Sequence, residues 1–522
     1  MIMRPMIASM LMGLAVPAAL AQQPTYVAVE WSRSPTRPPP PATPSTAPIV
    51  RAQFTQPEPI MPAPRVEVES SIVTPRLLPD ERSGLPITLP AAMQLANARP
   101  LDIQIAARQV QAAVAQFDRA KVLWVPSLIG GVDYFRHGGN VQNFEGEVLD
   151  RDRQSFMIGG GANAVFGIND AIFAPLAARQ DANARRALLQ AVNNDAALAV
   201  AEAYFGVQQA RGELAGALNY VQQAEELVRR TKELAEGLAP PMEATRARVE
   251  LARRQQAVAT LRERWQIESA ELVRILRLDA ASVVEPLEPA NLTVNLVEPS
   301  LSLDELIAFG LTSRPELAAH QAFVKATLQR LRQEKLRPLV PSLLLRSVST
   351  NPSGSLGWGS FGGGRDSIST LKPRYDYDVQ VLWELQNFGL GNKARVDERN
   401  AEREAALLEL FRIQDRVAAE VVRAQAQVTA ARTRLKAAEP AMTDALDSLQ
   451  KNMEGLSQTR RLGNVLILVV RPQEAVAALQ ALAQANSDYY SAVADYNRAQ
   501  FRLYRAIGHP AGALPCAVEQ QP

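Results

Sequence analysis

Two hydrophobic periods alternate along this chain, and the whole alternation is played twice. Period two is clearest at 375–385: Tyr375, Tyr377, Val379, Val381, Trp383 and Leu385 fall on one face. Asp376, Asp378, Gln380 and Glu384 fall on the other, with Leu382 the exception. That is the pattern of a strand with one apolar and one wet face. Weaker segments of the same kind carry Tyr134, Phe156, Phe166 and Leu343 among many glycines. Four strands are expected, at about 127–137, 154–166, 341–350 and 373–385.

Between these segments the period lengthens. Leu214, Ala217, Val221, Ala224 and Val228 recur at alternating steps of three and four, as do Val417, Val421, Ala424, Val428, Ala431, Leu435 and Ala438. This is the seam of supercoiled helices, and alanine at about half of its positions lets neighbours approach closely. The faces around the seam carry Arg, Glu and Gln, which suits a helical wall wet on both sides. The expected helices are 100–122, 175–236, 242–278, 315–337, 393–462 and 472–507, with Pro440 expected to kink the fifth. Residues 175–236 alone would reach ~93 Å at 1.5 Å per residue. Each pair of short helices would stack end to end alongside one long helix.

The repetition is explicit in the residues. Arg99-Pro100 returns as Arg314-Pro315, and Pro126-Ser127-Leu128 returns as Pro341-Ser342-Leu343, at one offset of 215 (314 − 99, 341 − 126). Thr88 is a candidate helix cap, and Ser302-Leu303-Asp304-Glu305 is a capping box. The chain therefore divides into a first repeat, 85–298, and a second, 299–510. Both read helix, strand, strand, long helices. The fold class is mainly α with a β-barrel.

Residues 1–21 read as a secretory signal: Arg4, an apolar stretch, then Ala19-Leu20-Ala21. Residues 22–84 form a leader rich in Pro, Thr and Ala that cannot bury a core, and 511–522 form a tail. Beyond the signal no apolar run is long enough for a spanning helix, so a mature chain that crosses a membrane must do so as a closed barrel. Four strands cannot close one, since the smallest barrels have about eight. Three copies would supply twelve. The polar stretches 138–153 and 351–372, the second rich in glycine, are expected to be surface loops.

The formal net charge of +2 suggests no nucleic-acid partner. The single cysteine, Cys516, cannot form an internal disulfide. His137, His320 and His509 are scattered, and neither a nucleophile elbow nor a paired-cysteine motif occurs. No catalytic residue, metal site or cofactor is assigned, and the chain is not read as an enzyme.

These features together resemble the TolC-type outer-membrane efflux proteins over about 85–510. Asn387-Phe388-Gly389-Leu390-Gly391 is similar to the family's strand-to-helix corner, with Phe173-Ala174-Pro175 as its weaker counterpart. Asp495-Tyr496-Asn497-Arg498-Ala499-Gln500, ending at Ile507-Gly508, resembles its last helix. The resemblance implies a homotrimer in the cell outer membrane that extends into the periplasm. Each protomer would give four strands to a twelve-stranded barrel set in outer-membrane lipid, and its helices to a periplasmic α-helical barrel. It implies contact with a periplasmic adaptor (membrane fusion) protein, linked to an inner-membrane pump, at two helix turns. One turn holds Gly237, Leu238, Pro240 and Pro241; the other holds Arg461, Leu462, Gly463 and Asn464.

At the periplasmic mouth the family often carries acids. Here Arg471 and Glu474 are the gate candidates, beside an apolar insert that shifts the register, and a Pro- and Val-lined constriction fits as well. In the barrel, Asp376, Asp378, Gln380 and Glu384 are expected to line a cation-leaning lumen. Tyr375, Tyr377, Val379, Val381 and Trp383 are expected to face lipid. The function implied is a passive export duct of a tripartite efflux or type I secretion system. The alternative is a periplasmic coiled-coil scaffold without channel activity.

Overall fold

The computed structural model describes residues 84–96, 100–235, 239–346, 356–462 and 465–509. The signal, most of the leader, Arg99, the tail with Cys516, and the turn residues Gly237, Leu238, Gly463 and Asn464 lie outside the described residues.

Eight α-helices are described: α1 (Leu89–Ala96), α2 (Leu101–Lys121), α3 (Ile168–Leu234), α4 (Pro241–Leu276), α5 (Leu303–Ser313), α6 (Pro315–Leu336), α7 (Leu390–Gly455) and α8 (Pro472–Ala506). The strands of the first repeat are β1 (Leu85–Ile87), β2 (Ser127–His137), β3 (Asn140–Gln142), β4 (Val148–Asp150), β5 (Arg153–Gly167) and β6 (Val284–Pro286). Those of the second are β7 (Ser342–Arg346), β8 (Trp358–Gly364), β9 (Ser369–Tyr375), β10 (Asp378–Leu382), β11 (Thr459–Leu462) and β12 (Val465–Leu468).

Local chemistry sets the helix starts. Thr88 Oγ1 accepts from Ala91 N at 3.3 Å. Ser302 and Glu305 form the full capping box. Pro241, Pro315 and Pro472 each occupy a first helical turn, where a missing N–H costs nothing. The two long helices have 67 and 66 residues, roughly 100 Å each. α3 begins at Ile168, seven residues before Pro175, and both Pro175 and Pro440 sit inside continuous helices.

The helices form four columns. α2 and α4 both pack along α3; α6 and α8 pack against α3 on one side and α7 on the other. The 3–4 seam residues Leu214, Ala217, Ala224, Val417, Val421, Ala424 and Ala431 are all buried. A central core gathers Tyr204 and Phe205 of α3, Leu272 and Leu276 of α4, Leu306 of α5, Val421 of α7 and Phe501 of α8. A second core nearer the turns joins Leu227, Leu449, Leu456 and Leu479.

The last-helix motif ties this core to the connection between the repeats. Asn497, fully buried, accepts from Val294 N at 2.8 Å and donates to Leu292 O at 2.7 Å. Gln500 accepts from Leu296 N and Val297 N. An unpaired connection would leave these backbone groups without partners in a dry core.

The sheet runs β2, β5, then β7 and β8 end to end, then β10 and β9 end to end. β7 pairs with Asn163–Gly167 and β8 with Gln154–Gly160, on the same edge of β5. Two differences from the sequence expectation matter. The segment 351–372 is not simply a loop: its Gly359 and Gly362–Gly364 lie in β8, and β9 begins at Ser369. The segment expected as one strand, 373–385, is broken at Asp376-Tyr377, leaving β9 and β10. Glycine at Gly359 has a physical reason: φ is +145°, and a Cβ there would lie 2.3 Å from Ile158 O.

The second helix turn also departs from expectation. α7 stops at Gly455, and the apolar insert forms the two-stranded ribbon β11–β12 rather than a helical end and an irregular loop. Val465-Leu466-Ile467-Leu468-Val469-Val470 is rich in β-branched residues, which favour extended backbone.

Candidate functional site: a two-faced sheet and a polar helical seam

The register sorts the sheet's residues into two faces. Leu128, Val132, Tyr134, Phe156, Ile158, Trp358 and Tyr375 share one face through their pairings. Leu343, Leu345, Phe166, Val379 and Val381 continue it. Many of these are exposed, including Leu128 at 75% and Val379 at 65%. An exposed apolar sheet face of this extent is unstable in water and suits hydrocarbon.

The same apolar character wraps the strand–helix junctions. Val122, Leu123, Trp124 and Val125 precede β2, Ile172 and Leu176 follow β5, and Leu339 precedes β7; all are exposed. Trp383, Leu385, Phe388 and Leu390 follow β10 and are exposed as well. At this last corner Asn387, Phe388 and Gly389 all have positive φ, and Asn392 Oδ1 accepts from Gln386 N at 2.8 Å. The turn thus presents Phe388 outward on a left-handed backbone that an L residue adopts only at a cost.

The opposite face is polar and mixed in sign. Asp378 lies across from Arg346 and pairs with it at 2.7 Å. Asp376, between β9 and β10, pairs with Arg374 at 2.8 Å, and the Arg374 guanidinium also sits over Phe361. Gln380 donates to Asp378 at 2.9 Å. Lys372, Asp133 and Arg153 share this face by register. Glu384 follows β10, is exposed, and accepts from Gln386. Tyr377 sits exposed at the strand break. The alternation that singled out the acids passed over Arg346, Arg374 and Lys372, although each was legible as a charge near or within an alternating segment.

At the far ends of the helices, Pro240 precedes α4 and Pro241 opens it, both exposed. Arg461 and Leu462 lie in β11. Arg471 caps α8 and Glu474 lies in its first turn, both exposed, with Glu474 N donating to Arg471 O at 2.9 Å.

The α3–α4 and α7–α8 hairpins meet along a polar seam. Arg230 of α3 donates to Met453 O of α7 at 2.6 Å. Glu226, between Arg229 and Arg230, is held near pKa 2 by their hydrogen bonds. Higher up, Arg246 reaches Gln473, and Gln480 donates to the buried Glu250 at 2.6 Å. Further along α8, Arg498 reaches Gln209, Arg502 reaches Glu202 and Arg505 reaches Asp195. Burial holds Arg498 below the usual arginine range, ahead of the acids around it. Among the described residues no helix is long and apolar enough to cross a membrane, and no acid–His–Cys group could hold a metal.

An exposed apolar face on a sheet that runs into helices of roughly 100 Å is the combination to set beside known proteins. Residues 92–276 match the family described as Outer membrane efflux protein. The fold is that of solved outer-membrane channels. One is CusC, at 16% identity over 85% of this chain and 99% of that one, with a TM-score of 0.65. Another is VceC from Vibrio cholerae, at 14% over 81% and 96%, with a TM-score of 0.64. A third is MtrE from Neisseria gonorrhoeae in its open state, at 15% over 87% and 98%, with a TM-score of 0.65. No curated protein sequence matches.

By both measures the chain resembles the TolC-type outer-membrane efflux proteins, which are channels and not enzymes.

Proposed function

We propose that three copies of this chain form the outer-membrane duct of a tripartite efflux or type I secretion system. The observation that carries the reading is the two-faced sheet. Within one protomer it ends at β2 on one side and at β9 and β10 on the other, and among the described residues both outer edges are unpaired. Open edges demand partners. Three such sheets joined edge to edge give twelve strands, with the apolar face in lipid and the Arg–Asp pairs around a wet lumen.

The helices repeat the logic. The α2/α4 column and the α7 column are the two free flanks of the protomer. Joining three protomers flank to flank would close an α-helical barrel through the periplasm. Transport then needs no chemistry in this chain: an adaptor and an inner-membrane pump supply the energy and engage the turns at Gly237–Pro241 and Arg461–Asn464. Arg471 and Glu474, at the start of α8, stand beside the mouth. The scaffold alternative leaves the apolar sheet face without a cover.

The test is purification from membranes followed by planar-bilayer recording. The duct is extracted only by detergent, runs as a trimer and conducts. A monomer soluble without detergent, with no conductance, overturns the proposal.

A further inference from the structure

Two exposed stripes run along the outermost helices of the protomer, and their chemistry matches position by position. The face of α2 turned to α3 carries Val110, Ala113 and Phe117, buried or half-buried. On the opposite side Leu101, Ile105, Arg108 and Ala112 recur at steps of four, three and four, all exposed, and line a shallow groove. The face of α7 turned to α6 and α8 carries the buried Ile413, Val417 and Val421. On its opposite side Ala401, Glu404, Leu408 and Phe411 recur at steps of three, four and three, again all exposed. Such spacing is the seam by which one helix packs on another. Leu101 and Ile105 are 53% and 55% exposed, Leu408 and Phe411 67% and 53%.

The stripes stand at one height. α2 runs toward the sheet and α7 away from it. Leu101 lies 20 residues from the sheet-side end of α2 (121 − 101) and Phe411 lies 21 from that of α7 (411 − 390), ~30 Å in both at 1.5 Å per residue. Ile105 and Leu408 lie 16 and 18 residues away (121 − 105, 408 − 390). Arg108 and Glu404 lie 13 and 14 away (121 − 108, 404 − 390), and Ala112 and Ala401 9 and 11 (121 − 112, 401 − 390). Side by side, the stripes set aliphatic residues against Leu408 and Phe411, an arginine against a glutamate, and alanine against alanine. Sliding one stripe by a heptad sets Leu101 against Glu404 in one direction and Arg108 against Phe411 in the other. Of these registers the first alone satisfies both the apolar and the charged positions.

α3 and α6 stand between α2 and α7, so a protomer cannot close this match on itself. The charged pair is held loosely within its own helices: Arg108 donates to Gln111 at 2.8 Å, and Glu404 accepts from Asn400 at 3.0 Å, with Arg403 at 3.9 Å. We propose that α2 of one copy packs antiparallel on α7 of the next in this register. Arg108 then faces Glu404 across the join, and Leu101 and Ile105 cover Leu408 and Phe411. The proposal rests on the trimeric reading and names the residues that close its helical wall.

The experiment is disulfide trapping in membranes, in a Cys516→Ser background. Two cysteines bond only when their Cα atoms come within ~7 Å. Ala112→Cys combined with Ala401→Cys is expected to give covalent dimers and trimers on oxidation, and each single variant monomers. Ala112→Cys combined with Phe411→Cys, offset by ~18 Å along the helices, is expected to give none. Arg108→Glu sets two acids face to face and is expected to lower the temperature at which the trimer dissociates in detergent; adding Glu404→Arg is expected to restore it. Failure of that exchange to restore the trimer overturns the Arg108–Glu404 pairing. A conducting trimer that gives no trap between positions 112 and 401 overturns the register and leaves the channel reading intact. So does a trapped product of another mass, which means that a different protein covers the flank. A monomer without conductance overturns both.

Discussion

Arg314 Nη2 lies 2.6 Å from Glu420 Oε2, joining the start of α6 to the middle of α7. The Arg314 side chain is 3% exposed and also donates to Glu316 and to Ala506 O at the end of α8. Arg505 shares Glu420 and Glu316 and adds Asp195 of α3. Two arginines and three acids thus hold three long helices and α6 at one level. Removing one member of a buried ion network leaves the others uncompensated. Arg314→Ala is expected to destabilise the protomer by about 3–5 kcal/mol, measured by chemical denaturation in detergent. Glu420→Gln is expected to cost less, because Glu316 still serves both arginines.

Alkaline stability should track buried tyrosines. Burial raises the pKa of Tyr204, Tyr220, Tyr490 and Tyr504, and pushes Tyr489 up to about 12. In the unfolded chain each ionises near pH 10. The folded state therefore binds more protons above that pH, so this stabilisation is complete below pH 10 and is lost as pH rises through 10 to 12 and beyond. Thermal melts across this range should fall steadily, and tyrosinate absorbance should rise in two stages, the exposed tyrosines Tyr134, Tyr375 and Tyr377 first and the buried ones only with unfolding. Tyr204→Phe should flatten the decline.

The paired charges on the polar sheet face bear on ion preference. The acids expected to make a cation-leaning lumen, Asp376 and Asp378, each carry an arginine partner. In the proposed trimer, Asp378→Asn frees Arg346 in every protomer. A unit charge about 10 Å from a permeating ion in water is worth about 0.4 kcal/mol, or twofold. The reversal potential in a salt gradient should shift toward chloride by about that factor. Arg346→Gln should shift it the other way, and identical potentials in both variants would remove these residues from the lumen.

The proposed adaptor contact at the turns is expected to be separable from assembly. Leu238→Asp combined with Leu462→Asp is expected to abolish in-cell cross-linking to the adaptor and to abolish export. Trimer yield should be unchanged. Normal cross-linking in the double variant would move the contact elsewhere.

Much of the architecture was readable in one dimension, because it rests on short-range physics. Steps of three and four in 214–228 and 417–438 dictate a buried seam whatever surrounds it, and those residues are buried or half-buried. Ser302 and Glu305 cap a helix through contacts three residues apart. The alternation at 375–385 put Tyr375, Val379 and Val381 opposite Asp378 and Gln380, and the ladder pairs keep that parity across the break. Local pattern could not reveal that break, since Asp376 N turns to Gly357 O, a partner outside any period. Nor could it show that glycines 359 and 362–364 form a strand, because their pairing depends on close approach to β5 rather than on side chains.

The amino-acid order alone determined the duplication, the helical seams, the apolar and polar strand faces and the helix starts, since each depends on neighbours within a few positions. Tertiary structure alone decided which charges cancel: Arg346 meets Asp378 and Arg314 meets Glu420 only after strands or helices distant in sequence are laid side by side. It also decided that Asn486 faces a cavity while Asn497 is fully bonded. Both sit on one helix, eleven residues apart, with the same side chain. What separates them is the packing of α3, α4 and the inter-repeat connection around α8, which no local pattern encodes.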